Sequence, residues 1–133
     1  MSPTLNKILM AEDEADIQMV ARLALEAVGG FTVEICSSGG EALKAAPGFA
    51  PDLILLDMMM PGMDGVTTLQ ELRNLPQTAS TPVIFMTAKV QPHEVARYKE
   101  LGAIDVISKP FDPMTLSADI SKIWLGHQAN NND

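Results

Sequence analysis

Basic residues are scarce in this chain. Of 133 residues, 9 are lysine or arginine against 17 aspartate or glutamate, a formal net charge of −8. That deficit removes the electrostatic attraction on which non-specific nucleic-acid affinity and anionic-membrane binding depend, so neither partner is expected. Cysteine is scarcer still: Cys36 stands alone, which excludes an intrachain disulfide and a cysteine metal cluster and suits a reducing compartment. Long apolar runs are also missing. Lys7 is followed only by Ile8 to Ala11 before Glu12 intervenes, too short for a signal-peptide core or a membrane span. These absences lead us to expect a cytoplasmic protein. What remains is ordinary, with 47% hydrophobic and 20% charged residues, and a chain of this length can bury roughly two-thirds of its unfolded surface in one core. One domain is expected, neither disordered nor fibrous.

Short apolar runs recur at Ile8 to Ala11, Phe31 to Cys36, Leu53 to Leu56, Val83 to Met86 and Val106-Ile107. Lacking apolar/polar alternation, they read as strands covered on both faces, as in a parallel sheet. Helical patterns fill the gaps. Ile17, Val20, Ala21, Ala24 and Val28 form one stripe stopped at Gly29-Gly30. Glu41 to Ala46 predicts a short second helix closed by Pro47-Gly48, and Val66 to Leu75 a third stopped at Pro76. Pro92 opens a fourth that carries Val95, Tyr98 and Leu101 and ends at Gly102. In the fifth, Asp112 is the expected cap, Pro113 lies in the first turn, and Leu116, Ile120, Ile123 and Trp124 make the buried stripe. Residues 1–126 are thus expected to form the domain, and 127–133 a short polar, disordered tail. Five successive β-α units predict a doubly wound α/β fold, whose ligand site lies outside the carboxyl ends of the strands.

Those ends carry chemistry. Glu12 and Asp13 follow the first strand, Asp57 the third, Thr87 the fourth and Ser108-Lys109-Pro110 the fifth. Three carboxylates about 5 Å apart repel by roughly 3 kcal/mol per pair at an effective dielectric near 20, so a cluster needs a compensating cation. Hard oxygen ligands in small number, with no histidine among them, suit Mg²⁺ or Mn²⁺. Asp57 stands before Met58-Met59-Met60-Pro61-Gly62-Met63-Asp64-Gly65, a loop whose backbone could complete the metal shell. A carboxylate there can attack phosphorus to form an acyl phosphate, with Thr87 and Lys109 as donors to the phosphoryl oxygens.

The ordered set Glu12-Asp13, Asp57 with its Met-Pro-Gly-Met-Asp-Gly sequence, Thr87-Ala88 and Lys109-Pro110-Phe111 resembles the receiver domains of two-component response regulators, most closely the stand-alone, chemotaxis-regulator-like type. The resemblance spans nearly the whole chain and implies the flavodoxin-like (βα)5 three-layer sandwich with strand order 2-1-3-4-5. It implies that Asp57 accepts a phosphoryl group from a sensor histidine kinase or phosphotransfer protein. Mg²⁺ would be held by Asp13, Asp57, the Met59 backbone carbonyl and, through water, Glu12. It also implies a cis Lys109-Pro110 bond and an unidentified output protein at the face of the fourth helix, fifth strand and fifth helix. Because no DNA-binding or catalytic region follows Leu125, output is expected through protein contact or a phosphorelay.

Two positions depart from the family pattern. Val106 replaces the aromatic that swings inward with the threonine, with Tyr98 as a weaker substitute reporter. Met59 and Lys89 flank the path of water to the acyl phosphate, and an apolar Met59 cannot orient water, so slow self-hydrolysis is expected. Rival readings are a phosphorylation-independent scaffold, which Val106 keeps open although none of the core set is missing, and a Mg²⁺-dependent aspartyl-phosphate phosphohydrolase, which lacks its second carboxylate because Met59 occupies that place. A flavin carrier would need a phosphate loop after the first strand, where Glu12-Asp13-Glu14 would repel it. Taken singly, Glu12 and Asp13 could cap a helix, Asp57 and Thr87 could end strands, and Lys109 could be a solvated charge. Met58, Met59, Met60 and Met63 are read as packing, His93 and His127 as surface residues, and Cys36 as a small buried hydrophobe.

Overall fold

A computed structural model describes residues 4–131. Strands β1 (Lys7–Ala11), β2 (Thr32–Cys36), β3 (Leu53–Asp57), β4 (Val83–Thr87) and β5 (Asp105–Ser108) form one sheet in the order β2-β1-β3-β4-β5, parallel throughout. The doubly wound 2-1-3-4-5 fold expected from the sequence is the observed one. Helices α1 (Ala15–Arg22), α2 (Gly39–Phe49), α3 (Gly65–Arg73), α4 (Pro92–Glu100) and α5 (Leu116–Asn131) connect and flank the strands.

Successive strand residues serve opposite faces. Ile8 and Met10 join Leu25, Leu55, Ile84 and Trp124 in one core, whereas Leu9 and Ala11 join Leu56, Leu69, Phe85 and Tyr98 in the other. Central β3 and β4 are buried at every position, which is why their sequences are apolar without alternation. Edge strand β2 has exposed Thr32 and Glu34.

Several helix boundaries differ from the expectation. α1 continues as a π-helical segment, Leu23–Val28, with the Gly29 N–H reaching back five residues to the Ala24 carbonyl. Within the wider turn Leu25 is buried and Val28 exposed, and Val20, ahead of it, is exposed too. There α5 comes close: Ser117 Oγ donates to the Ala24 carbonyl at 2.6 Å, and a Cβ on Gly29 would collide with the Ser117 side chain. α2 runs on through Pro47. Proline in the last turn loses only its own N–H bond. Ala50, at φ 53°, closes the end by donating to the Ala46 carbonyl, and Lys7 Nζ donates to the Phe49 carbonyl at 3.2 Å.

α3 starts where the Asp64 carboxylate accepts the Thr67 N–H and stops two residues early at Arg73, before a run of turns. Asp112 caps the turn ahead of α5, accepting the Met114 N–H, but regular helix begins only at Leu116. The expected polar tail from residue 127 is instead a continuation of α5 to Asn131; residues 132 and 133 lie outside the described residues. Gly126 weakens a helix without ending it, and half-buried His127 and Gln128 extend the inward stripe of Ile120 and Trp124. His127 is thus not the surface residue expected, while His93 is exposed and Cys36 buried. No described helix is long and apolar enough to cross a membrane.

Candidate phosphoacceptor site

The carboxyl ends of β1, β3 and β5 bring together residues distant in sequence. Glu12, Asp13 and Asp57 each offer a carboxylate oxygen, and these atoms lie within 4.8 Å of one another. Asp13 is exposed, while Glu12 and Asp57 are buried. Lys109 Nζ reaches both buried acids, 3.0 Å from Glu12 Oε1 and 3.2 Å from Asp57 Oδ2. The second oxygen of Glu12 accepts the Glu14 N–H at 3.0 Å, and Asp57 Oδ1 accepts the Met59 N–H at 3.2 Å.

Burial pushes the Glu12 carboxyl above its usual range, with the Asp57 charge adding to the rise and the Glu14 N–H and Lys109 opposing it. Burial likewise disfavours the Lys109 ammonium, but its hydrogen bond to Glu12 and the charges of Glu12 and Asp57 outweigh burial and hold its pKa above the ordinary lysine value. With all three acids ionised and Lys109 protonated, the set carries two net negative charges. Converging hard oxygens and that residual charge fit a divalent cation such as Mg²⁺.

Thr87 ends β4 beside this cluster, since Asp57 is in register with Met86. It is 6% exposed, and its Oγ1 accepts the Lys89 N–H at 3.1 Å. Met59 projects into solvent, 81% exposed, so only its backbone adjoins Asp57. Its neighbour Met60 is buried in a core, so the packing reading holds for one methionine and fails for the other. The Lys109-Pro110 bond is cis, as the resemblance implied. Val106 is half-buried in register with Phe85, whose ring meets Tyr98 edge-on at 5.7 Å. Tyr98 is 7% exposed and belongs to the core.

Two supporting residues escaped the sequence reading. Gln18 Nε2 donates to the Glu12 carbonyl at 2.6 Å and to Ser37 Oγ at 3.2 Å, tying β1 to the β2–α2 turn. Its signal was a polar side chain beside the apolar stripe of α1. Gly65 sits so close that a Cβ there would approach the Asp57 carbonyl to 2.7 Å. The glycine signalled a turn, but not this contact.

A parallel sheet with an acidic, lysine-bridged cluster at its carboxyl edge defines a class of α/β proteins built for anion and metal chemistry at strand ends. Within that class the chain belongs to the response regulator receiver domain family, whose profile matches residues 8–121. Alkaline phosphatase synthesis transcriptional regulatory protein PhoP of Bacillus subtilis is 38% identical over 88% of this chain and 48% of its own length. Transcriptional regulatory protein CpxR of Escherichia coli is 37% identical over 97% of this chain and 56% of its own. The chain therefore spans about half the length of these curated relatives. Among solved structures, chemotaxis response regulator CheY4 of Vibrio cholerae superposes with a TM-score of 0.82 at 30% identity, covering 90% of this chain and 99% of that one. The chain is a signalling receiver domain, and its acidic cluster fits the phosphoacceptor site of such domains.

Proposed function

We propose that Asp57 accepts a phosphoryl group from a sensor histidine kinase or a phosphotransfer protein. The supporting observation is a buried Asp57 carboxylate that shares Lys109 with Glu12 and has Asp13 at the solvent side. In the transfer a carboxylate oxygen of Asp57 bonds to phosphorus as the bond from phosphorus to the donor's leaving group breaks, giving an acyl phosphate. The Lys109 ammonium follows the charge onto the phosphoryl oxygens, and the Thr87 hydroxyl, at the neighbouring strand end, donates to one of them. The Met59 N–H holds the attacking carboxylate in place. Asp13, Asp57, the Met59 carbonyl and, through water, Glu12 would hold Mg²⁺ or Mn²⁺, which supplies charge neutralisation at the phosphoryl group.

Output would pass to a partner protein at the face of α4, β5 and α5. On the β5 and α5 part of it a groove of about 400 Å³ runs, with Val106, Ile107, Phe111 and Ile123 among its walls and none from α4. The stand-alone reading draws on the near-complete match to CheY4, and a lone buried Cys36 suits the cytoplasm.

The test is incubation with acetyl phosphate and Mg²⁺ followed by intact-mass measurement. A labile phosphoryl adduct on the wild type and none on Asp57→Asn is expected. Lack of an adduct, with Mg²⁺ binding verified and a kinase also tried, would leave the scaffold reading that Val106 keeps open. Sustained phosphatase turnover of a phosphomonoester would instead favour the hydrolase.

A further inference from the structure

The three acids of the cluster are held unevenly. Glu12 is fixed by Lys109 and the Glu14 N–H, and Asp57 by Lys109 and the Met59 N–H. Asp13 has no such hold: among the described residues nothing donates a hydrogen bond to its carboxylate, and the residue is exposed. A carboxylate oxygen of Asp13 nonetheless lies within 4.8 Å of those of Glu12 and Asp57, against their mutual repulsion. Its place is therefore set by the backbone that carries it.

That backbone is pinned on both sides of Glu12. The Glu12 N–H donates to the Cys36 carbonyl at 2.9 Å, and the Glu12 carbonyl accepts from Gln18 Nε2 at 2.6 Å. The Glu12 carbonyl and the Asp13 N–H belong to one planar peptide unit, so whatever holds the carbonyl also orients the bond that leads into Asp13. A helical side chain leans toward the amino end of its helix, and Gln18, in the first turn of α1, thus folds back over the turn that carries Asp13. The second N–H of its amide goes to Ser37 Oγ at 3.2 Å, which spends both donors and ties the side chain down at its far end. A carbonyl oxygen only accepts, so an amide can fill this place and a carboxylate or a thioether cannot.

We infer that Gln18 is a positioning residue for the metal site: it fixes the Glu12-Asp13 peptide that keeps the Asp13 carboxylate beside that of Asp57, and so sets the affinity for Mg²⁺. The inference rests on the phosphoacceptor reading of the cluster. Mg²⁺ tolerates little departure from its preferred ligand geometry, and a ligand on a loosened backbone gives way to the repulsion from its neighbours. Residues that hydrogen-bond a metal ligand directly are worth about 10–100-fold in affinity. Gln18 acts through the peptide ahead of the ligand, so its share is smaller.

The test is calorimetric titration of Mg²⁺ into the metal-free full chain, with acetyl phosphate labelling alongside. In Gln18→Met, which keeps the length of the side chain and loses both donors, the dissociation constant for Mg²⁺ should rise about fivefold, equivalent to about 1 kcal/mol. The Mg²⁺ concentration for half-maximal labelling should rise by the same factor. The rate at saturating Mg²⁺ should stay within about twofold of wild type, because the Gln18 amide reaches Glu12 and Ser37 and neither Asp57 nor Lys109. Ser37→Ala, which frees only the outer donor, should raise the dissociation constant about twofold, and it decides the matter if Gln18→Met does not fold. Arg73 is the control for lost stability alone: at the other end of the sheet its guanidinium donates to the carbonyls of Thr78 and Thr81 at 2.9 and 2.7 Å, and Arg73→Met should leave the Mg²⁺ affinity unchanged. Wild-type affinity in Gln18→Met, or an equal loss in Arg73→Met, overturns the inference. Wild type that binds Mg²⁺ yet takes no phosphoryl group overturns the phosphoacceptor reading while the titration still decides this one, and wild type that binds no Mg²⁺ overturns both.

Discussion

The two ends of the sheet treat charge in opposite ways. At the amino end, three charged groups serve the chain around them: Asp52 takes the N–H groups of Asn6 and Lys7, Lys7 takes the last carbonyl of α2, and Arg73 takes three loop carbonyls, those of Thr78, Thr81 and Gly102. At the carboxyl end, Glu12, Asp13 and Asp57 converge on one another with a single ammonium among them. The first arrangement stabilises the fold. The second opposes it, and a concentration of like charge that the fold does not need marks the place where a function needs it.

Lys109→Met should give the largest effect on this contrast. It leaves buried Glu12 and Asp57 facing each other without a cation, at a cost of about 3 kcal/mol near pH 7 in metal-free protein. Adding Glu12→Gln should recover much of that loss, so a double-mutant cycle followed by urea unfolding should show strong coupling; additive losses would contradict it. At the other end, Arg73→Met should cost about 2 kcal/mol by freeing carbonyls of the α3–β4 loop. The rate of Asp57 phosphorylation should stay unchanged in that variant, and a slowed rate would erase the separation between the two ends.

Glu12 sharpens the contrast through pH. Its folded pKa lies above the ordinary 4.5, so the stability it contributes as the neutral acid is complete below that value and is lost as pH rises through the raised folded value. Metal-free wild type should therefore lose stability relative to Glu12→Gln on going from pH 4.5 to 7 in thermal unfolding curves. Parallel curves for the two proteins would reject this. The smallest effect concerns Met59, whose exposed thioether offers no hydrogen bond to water near Asp57. Met59→Asn should shorten the phosphoaspartate lifetime by about threefold, equivalent to somewhat under 1 kcal/mol of barrier, in a phosphate-release assay.

The sheet was legible because burial on both faces imprints β3 and β4 as uninterrupted apolar runs. The acidic cluster was legible for a related reason: in a doubly wound fold, whatever follows each strand converges, so Glu12 and Lys109 fall at one rim across 97 positions, although the pattern marked Lys109 as a donor to phosphoryl oxygens and not as the 3.0 Å partner of Glu12. Helix ends were harder. Pro47 predicts a stop for α2, yet the Ala50 N–H closes the last turn on the Ala46 carbonyl and one tertiary donation, from Lys7, takes the Phe49 carbonyl. The π-helical segment after α1 meets Ser117, far along the chain, whose hydroxyl donates to the Ala24 carbonyl. Gln18 and Gly65 support the site through contacts that no local pattern announces.

The wholly parallel pairing of the strands bears on how the chain assembles. Ile8 pairs with Val33 and with Leu53, Ile54 with Val83, and Ile84 with Asp105, so no two neighbouring strands can zip together as a hairpin. Each pairing must first close a loop that contains a whole helix, and the entropy of that closure comes before any reward. β1, β3 and β4 each pair with two neighbours, so two of these closures converge on each of them. The order of events in folding is therefore tied to the middle of the sheet, and the acidic cluster at its rim can form only after β1 and β3 have met.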